Sequence, residues 1–151
     1  MKKKKSKIRR EAALTSIRLS RELMKMSNKK KSRAEEMKSK KIVGEVIKKL
    51  IITSVSDSSA SNREIILSSF EPIFDDFLAQ TENLRIFALF LYDEFYKIRE
   101  IAINIIGRLK KRNPAEINPF LRDLLLKLLS EIGFFFTFLK KKENLTKKKK
   151  K

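Results

Sequence analysis

The sequence predicts an all-α chain, an α-solenoid of about three helical hairpins stacked side by side, with disordered basic ends. Three observations predict it. Apolar residues recur with helical spacing along most of the chain, and no stretch alternates with period two long enough to argue a strand. A short polar and apolar pattern also returns after 36 residues, so the hairpins are copies of one unit. The domain boundaries that follow are a basic tail at 1–5, helical repeats over 6–132 with a Lys-rich loop or insertion near 28–41, and an aromatic and Lys-rich tail over 133–151.

In chain order, Ile8, Ala12, Ala13 and Ile17 space as one face of a first helix. Residues 27–41 are polar, lysine-rich and without periodicity, which reads as a loop. From Ile42 to Val55, apolar residues at 42, 43, 46, 47, 50, 51 and 55 predict an amphipathic helix. A serine-rich turn follows, and Ser61 or Asn62 is placed to cap the next helix. Its buried stripe is expected from Ile65, Ile66, Ser69, Phe70, Ile73, Phe74 and Phe77, with a kink or break at Pro72. Thr81 and Glu82 open another helix through Leu84, Phe87 and Leu91. The strongest signal is Tyr96–Leu109, where apolar positions 98, 101, 102, 105, 106 and 109 share one face. Asp93 caps it, and Asn113-Pro114 ends it. Asn118-Pro119 then reads as a cap with proline at the first helical position, opening a helix over 120–132.

The repeat is specific enough to carry the argument. Asp57-x5-Arg63-Glu64-x-Ile66 returns as Asp93-x5-Arg99-Glu100-x-Ala102, and Arg9-x-x-Ala12 aligns with Arg99-x-x-Ala102 as a weaker third copy. An aspartate in the turn and an arginine one turn into the following helix can hydrogen-bond across successive hairpins. Asp57, Arg63, Asp93 and Arg99 are therefore the expected structural ladder. Small Ala102 and Gly107 are expected to let their helix approach its neighbour closely. Units of this length are the signature of a HEAT-type solenoid.

Composition removes several chemistries. The 151 residues include no cysteine and no histidine, so disulfides, the usual zinc sets and histidine triads are absent, and no cofactor is expected. Three glycines (Gly44, Gly107, Gly133) cannot form a Gly-rich phosphate loop. Met1–Lys5 is not followed by a secretory apolar run, and charges interrupt the most apolar stretch, 121–139, so no membrane span is expected. The net charge of +19 sits at the ends. Residues 1–41 hold 17 basic and 4 acidic groups, 42–132 hold 12 and 13, and 133–151 hold 8 and 1. Asp75-Asp76 and Asp93-Glu94 are adjacent carboxylates that diverge on a helix, which reads as solvated surface. Phe134–Phe138 is read either as an exposed patch on an uncapped solenoid end or as packing back on the preceding helix. The Asn144-Leu-Thr146 sequon carries no meaning without a signal peptide.

The stretches Phe77-Leu-Ala-Gln-Thr-Glu-Asn-Leu84, Lys97-Ile-Arg-Glu100, Gly107-Arg-Leu109, Asn113-Pro-Ala115 and Pro119-Phe-Leu-Arg122 resemble the N-terminal HEAT solenoid of the target-of-rapamycin (TOR) kinases. Lys7-Ile-Arg-Arg-Glu-Ala12 and Val43-Gly-Glu-Val-Ile-Lys-Lys-Leu50 are similar to the preceding helices of that family, in the same order. The resemblance spans about residues 6–132 and implies a piece of a large PI3K-related serine/threonine protein kinase. Nothing in the chain matches that family's catalytic domain, so no catalytic, cofactor-binding or metal-binding residue is assigned. The resemblance further implies a cytoplasmic scaffold whose partners are proteins, a Raptor-type subunit or other subunits of a TOR complex. Nucleic acid is not expected as a partner. The competing reading is a stand-alone basic helical protein that binds nucleic acid or ribosomes through its lysine tails.

Overall fold

The computed structural model describes residues 2–27, 32–126, 129–130 and 133, and among these every regular element is helical. The chain divides into two compact units, Met1–Asn113 and Pro114–Lys151. In the first unit α1 (Lys2–Ser27) and α2 (Arg33–Val55) pack as a long hairpin. Then come α3 (Ala60–Ser68), a 3₁₀ turn at Pro72–Phe74, and the short helices α4 (Asp75–Leu78) and α5 (Thr81–Phe87). A second 3₁₀ stretch, Ala88–Tyr92, leads to α6 (Tyr96–Leu109). α3 packs on α1 and α2 behind it and on α6 ahead of it, while α2 also meets α4 and α5. Consecutive hairpins therefore share walls, and the core runs from one to the next.

That core is made by the periodic residues. Ala13, Ile17 and Met24 of α1 are buried with Val43, Ile47, Leu50 and Ile51 of α2. Phe70, Phe74, Phe87 and Phe90 fill the middle, and Phe87 meets Phe90 edge-on with ring centroids 5.4 Å apart. In α6, Ile98, Ala102, Ile105, Ile106 and Leu109 are buried, matching the predicted face. The helix before Pro72 does end there. With no N–H to give, Pro72 opens a 3₁₀ turn, and the chain bends between Phe70 and Phe74.

Four local expectations are corrected. Lys2–Lys5 belong to α1 and are not a disordered tail, since lysine is a good helix former and no breaker separates the run from Ile8. Residues 33–41 are the start of α2 and not part of a loop. Ser32 caps the helix, accepting a hydrogen bond from Glu35 N at 3.4 Å, and Glu36 pairs with Lys40 one turn on. In the second unit, 114–126 is helical, so Pro114 stands at the first helical position and Pro119 lies inside the helix, where it forfeits one backbone bond. Gly107 makes no close approach, because a Cβ there would meet nothing within 4 Å among the described residues. The close approach is at Gly44, where a Cβ would stand 3.3 Å from the Phe77 ring. The aromatic cluster 134–138, the sequon and the C-terminal lysine run lie outside the described residues.

Candidate functional site

The chemistry-bearing groups of the first unit converge on the turns between hairpins. Asp57 follows α2, and its Oδ1 accepts the Ser59 N–H at 2.8 Å, folding the turn into α3. Asp93 precedes α6, and its Oδ1 accepts the Phe95 N–H at 3.0 Å in the same arrangement. Each turn then receives an arginine fork from the previous hairpin. Arg9 donates Nε and Nη2 to the two oxygens of Asp57 at 2.9 and 3.0 Å. Arg63 donates Nε and Nη2 to the two oxygens of Asp93 at 2.7 and 2.9 Å.

Arg63 and Arg99 also hold the turn just before them in sequence. Arg63 Nη1 donates to the Asp57 carbonyl at 2.9 Å, and Arg99 Nη1 donates to the Asp93 carbonyl at 2.6 Å. Asp57 and Asp93 thus occupy equivalent places, as do Arg63 and Arg99. The structure links Asp57 to Asp93 through Arg63, and it adds Arg9 as the donor to Asp57. Two parallel bonds to a carboxylate fix direction as well as distance, which a lysine could not do.

Burial separates the two forks. The Asp57 side chain is 1% exposed but Arg9 is 42% exposed, so water reaches the outer end of that pair. Arg63 and Asp93 are 9% and 7% exposed, and the Phe95 ring lies 5.7 Å from the Arg63 guanidinium carbon. The Arg9 hydrogen bonds hold the Asp57 carboxyl down at about 2, against burial and with help from the Ser59 N–H and Asn62. For Asp93 burial pushes upward, but the Arg63 bonds and the Phe95 N–H outweigh it and its pKa is lowered. Both groups are carboxylates at neutral pH.

A third fork was not expected. Arg108 of α6 donates to both oxygens of Asp75 at 2.8–3.0 Å and to the Phe70 carbonyl at 2.9 Å. Asp75 is buried, so the reading of Asp75-Asp76 as solvated surface is corrected for Asp75, while Asp76 is exposed. Glu94 is exposed beside Asp93, which is half-buried with its side chain turned in toward Arg63. The signal that could have found the third fork is faint, an arginine 33 residues after the first of two adjacent aspartates with no repeated frame around it. Asn62 Nδ2 ties the Ser6 carbonyl and Asp57 together, a further missed contact.

Asp57, Asp75 and Asp93 are each held by an arginine fork, and Asp57 and Asp93 each also accept a backbone N–H. No group of three or more metal-ligating side chains is assembled among the described residues. No helix among them is long and apolar enough to cross a membrane.

Comparison with known proteins places the chain beside large enzymes. No family model matches it. It is 44% identical over 92 residues to the serine/threonine-protein kinase tor1 of Schizosaccharomyces pombe, which is 61% of this chain and 4% of that protein. It is 42% identical over 104 residues to the serine/threonine-protein kinase TOR2 of Saccharomyces cerevisiae, and 38% identical over 93 residues to the serine/threonine-protein kinase TOR of Arabidopsis thaliana. The match again spans about 4% of each relative.

Proposed function

Starting from a chain that carries a segment homologous to the TOR serine/threonine-protein kinases, we propose that it is a non-catalytic scaffold of the TOR type. Its 6–132 region is a run of HEAT-type repeats that binds protein partners in the cytoplasm, a Raptor-type subunit or another subunit of a TOR complex. The single observation that supports this most is the equivalence of the turns. Asp57 and Asp93 each accept a fork from the previous hairpin, and Arg63 and Arg99 each brace their own turn. Such forks act as a register ladder, holding each hairpin at a set angle to the next. The mechanism is shape, with the buried stripes and the forks fixing how the successive hairpins of the first unit pack on one another.

The alternative is a basic protein that retains nucleic acid through its lysine runs, and the charge of +19 is what favours it. One experiment separates the two. The full chain and a version lacking 1–5 and 140–151 are compared for binding to a purified Raptor-type subunit and for RNA retention at physiological salt. The scaffold reading expects subunit binding to survive the deletion. Loss of subunit binding in both versions, with RNA retention in the intact chain alone, would sink it. Phosphate transfer from ATP by the purified chain would overturn the non-catalytic part.

A further inference from the structure

We propose that the face of α6 carrying Arg99 and Ile103 docks a partner protein's helix that is entered through an aspartate turn. The ladder itself states what such a face takes. Arg63 gives Nη1 to the carbonyl of its own turn, and its Nε and Nη2 hold both oxygens of Asp93 in the next one. Arg99 repeats the first half of this. Its Nη1 donates to the Asp93 carbonyl at 2.6 Å and to the Glu94 carbonyl at 3.1 Å, while Nε and Nη2 meet no acceptor among the described residues. Anchored as Arg63 is, the half-buried guanidinium of Arg99 offers its two-donor edge where Arg63 holds a carboxylate.

The neighbouring positions agree. Leu67 lies four residues after Arg63 and is fully buried, whereas Ile103, four after Arg99, is 44% exposed. Four residues further on, a Cβ at Gly107 would meet nothing within 4 Å. Arg99, Ile103 and Gly107 thus form one open line along α6, and Tyr96, a turn earlier, is exposed as well. Solenoid faces that stay in water are polar. An open fork beside an exposed isoleucine is instead the half of an interface that α3 completes by packing on α6.

Charge and turn geometry commit the occupant. Two parallel N–H donors call for a carboxylate, and in this ladder it is an aspartate, short enough to accept the N–H two residues on and fold its own turn. The chain has none to spare. Its turn aspartates Asp57 and Asp93 already hold Arg9 and Arg63, and Asp75 holds Arg108. The other two, Asp76 and Asp123, lie within helices. A second copy therefore brings no free turn aspartate, and neither does the sequence after α6. The occupant is a segment of another protein, with an aspartate turn for Arg99 and an apolar helix face for Ile103. This rests on the reading of the chain as a protein-binding scaffold and names the surface it would use.

The test uses the full chain and a fluorescent peptide copying residues 90–109, which holds the Asp93 turn and the helix that Arg63 receives, followed by anisotropy. Saturable binding is expected. Asp93→Asn in the peptide should weaken it about tenfold against the intact chain but less than about twofold against an Arg99→Gln chain, because both substitutions remove one interaction. Ile103→Glu in the chain should also weaken binding about tenfold. Circular dichroism checks the fold, and Arg99→Lys, which keeps the charge without the fork, gives the same comparison if the glutamine variant does not fold. Absence of saturable binding, or binding indifferent to Ile103→Glu, would overturn the proposal. So would an Asp93→Asn loss that persists in the Arg99→Gln chain, the sign of plain charge attraction or of the peptide displacing α6 from Arg63. A concentration-dependent dimer that Ile103→Glu dissociates would overturn it in favour of a second copy. The scaffold reading is judged separately by binding of the Raptor-type subunit, so failure of the peptide leaves it standing.

Discussion

An arginine that reaches two turns at once makes its own deletion costly. Removing Arg63 leaves the Asp93 carboxylate buried without its fork and the Asp57 carbonyl without its donor. Losing one partner of such a pair costs about 3–5 kcal/mol, and Arg63→Ala is expected in that range by urea denaturation. Arg9→Ala should cost clearly less, because Arg9 is half in solvent and water can replace it at the outer end of Asp57. Equal losses from the two substitutions would contradict this ranking. The glycines give a second contrast. Gly107→Ala introduces a methyl into open space on a helix and should raise stability by about 0.5–1 kcal/mol. Gly44→Ala must push the Phe77 ring aside by a few tenths of an ångström, so its gain should be smaller or reversed. Paired thermal melts of the two variants decide it.

At the scale of the element, α2 shows how helix starts escape periodicity. Its first turns carry Arg33, Glu35, Glu36, Lys38 and Lys40, a polar run with no apolar rhythm. They are helical because Ser32 caps the end, Glu35 and Glu36 sit in the first turn, and Ser39 continues the buried face one turn before Val43. Ser32→Ala removes a long, exposed bond and is expected to cost about 0.5 kcal/mol. Hydrogen exchange should report the change in residues 33–40 while the amides of 43–54 keep their protection. Faster exchange along all of α2 would show that the cap governs the whole helix. In α6 the rhythm was complete, and the predicted face is the buried one.

For the whole molecule, the forks tie folding to pH. Asp57 is held at about 2 and Asp93 is also lowered, so both bind protons more readily when unfolded. Their stabilisation is complete above the ordinary carboxylate pKa and is lost as pH falls through the folded value, which for Asp57 is the window from about 4 to about 2. The Asp57 share is at most about 2 kcal/mol, reduced by the solvent exposure of Arg9. Denaturation midpoints should therefore hold steady between pH 7 and 5 and fall steeply below 4. In Asp57→Asn, that acid limb should be shallower. An unchanged limb would mean that other carboxylates carry the acid sensitivity.

The sequence by itself determined the class of secondary structure and much of the core, because a helix face is written in spacing that neighbouring residues share. It also determined the equivalence of the Asp57 and Asp93 turns, since a repeated unit reuses the same local bonds. Only the tertiary structure decided which arginine reaches which aspartate. Arg9 and Asp57 are 48 residues apart, and Arg108 meets Asp75 with no repeated frame to announce it. Asp75 and Asp76 are indistinguishable as neighbours in sequence, yet one is buried under a guanidinium and the other faces water. Local spacing fixes the direction in which a side chain leaves its helix, but what it meets there depends on how the hairpins come together.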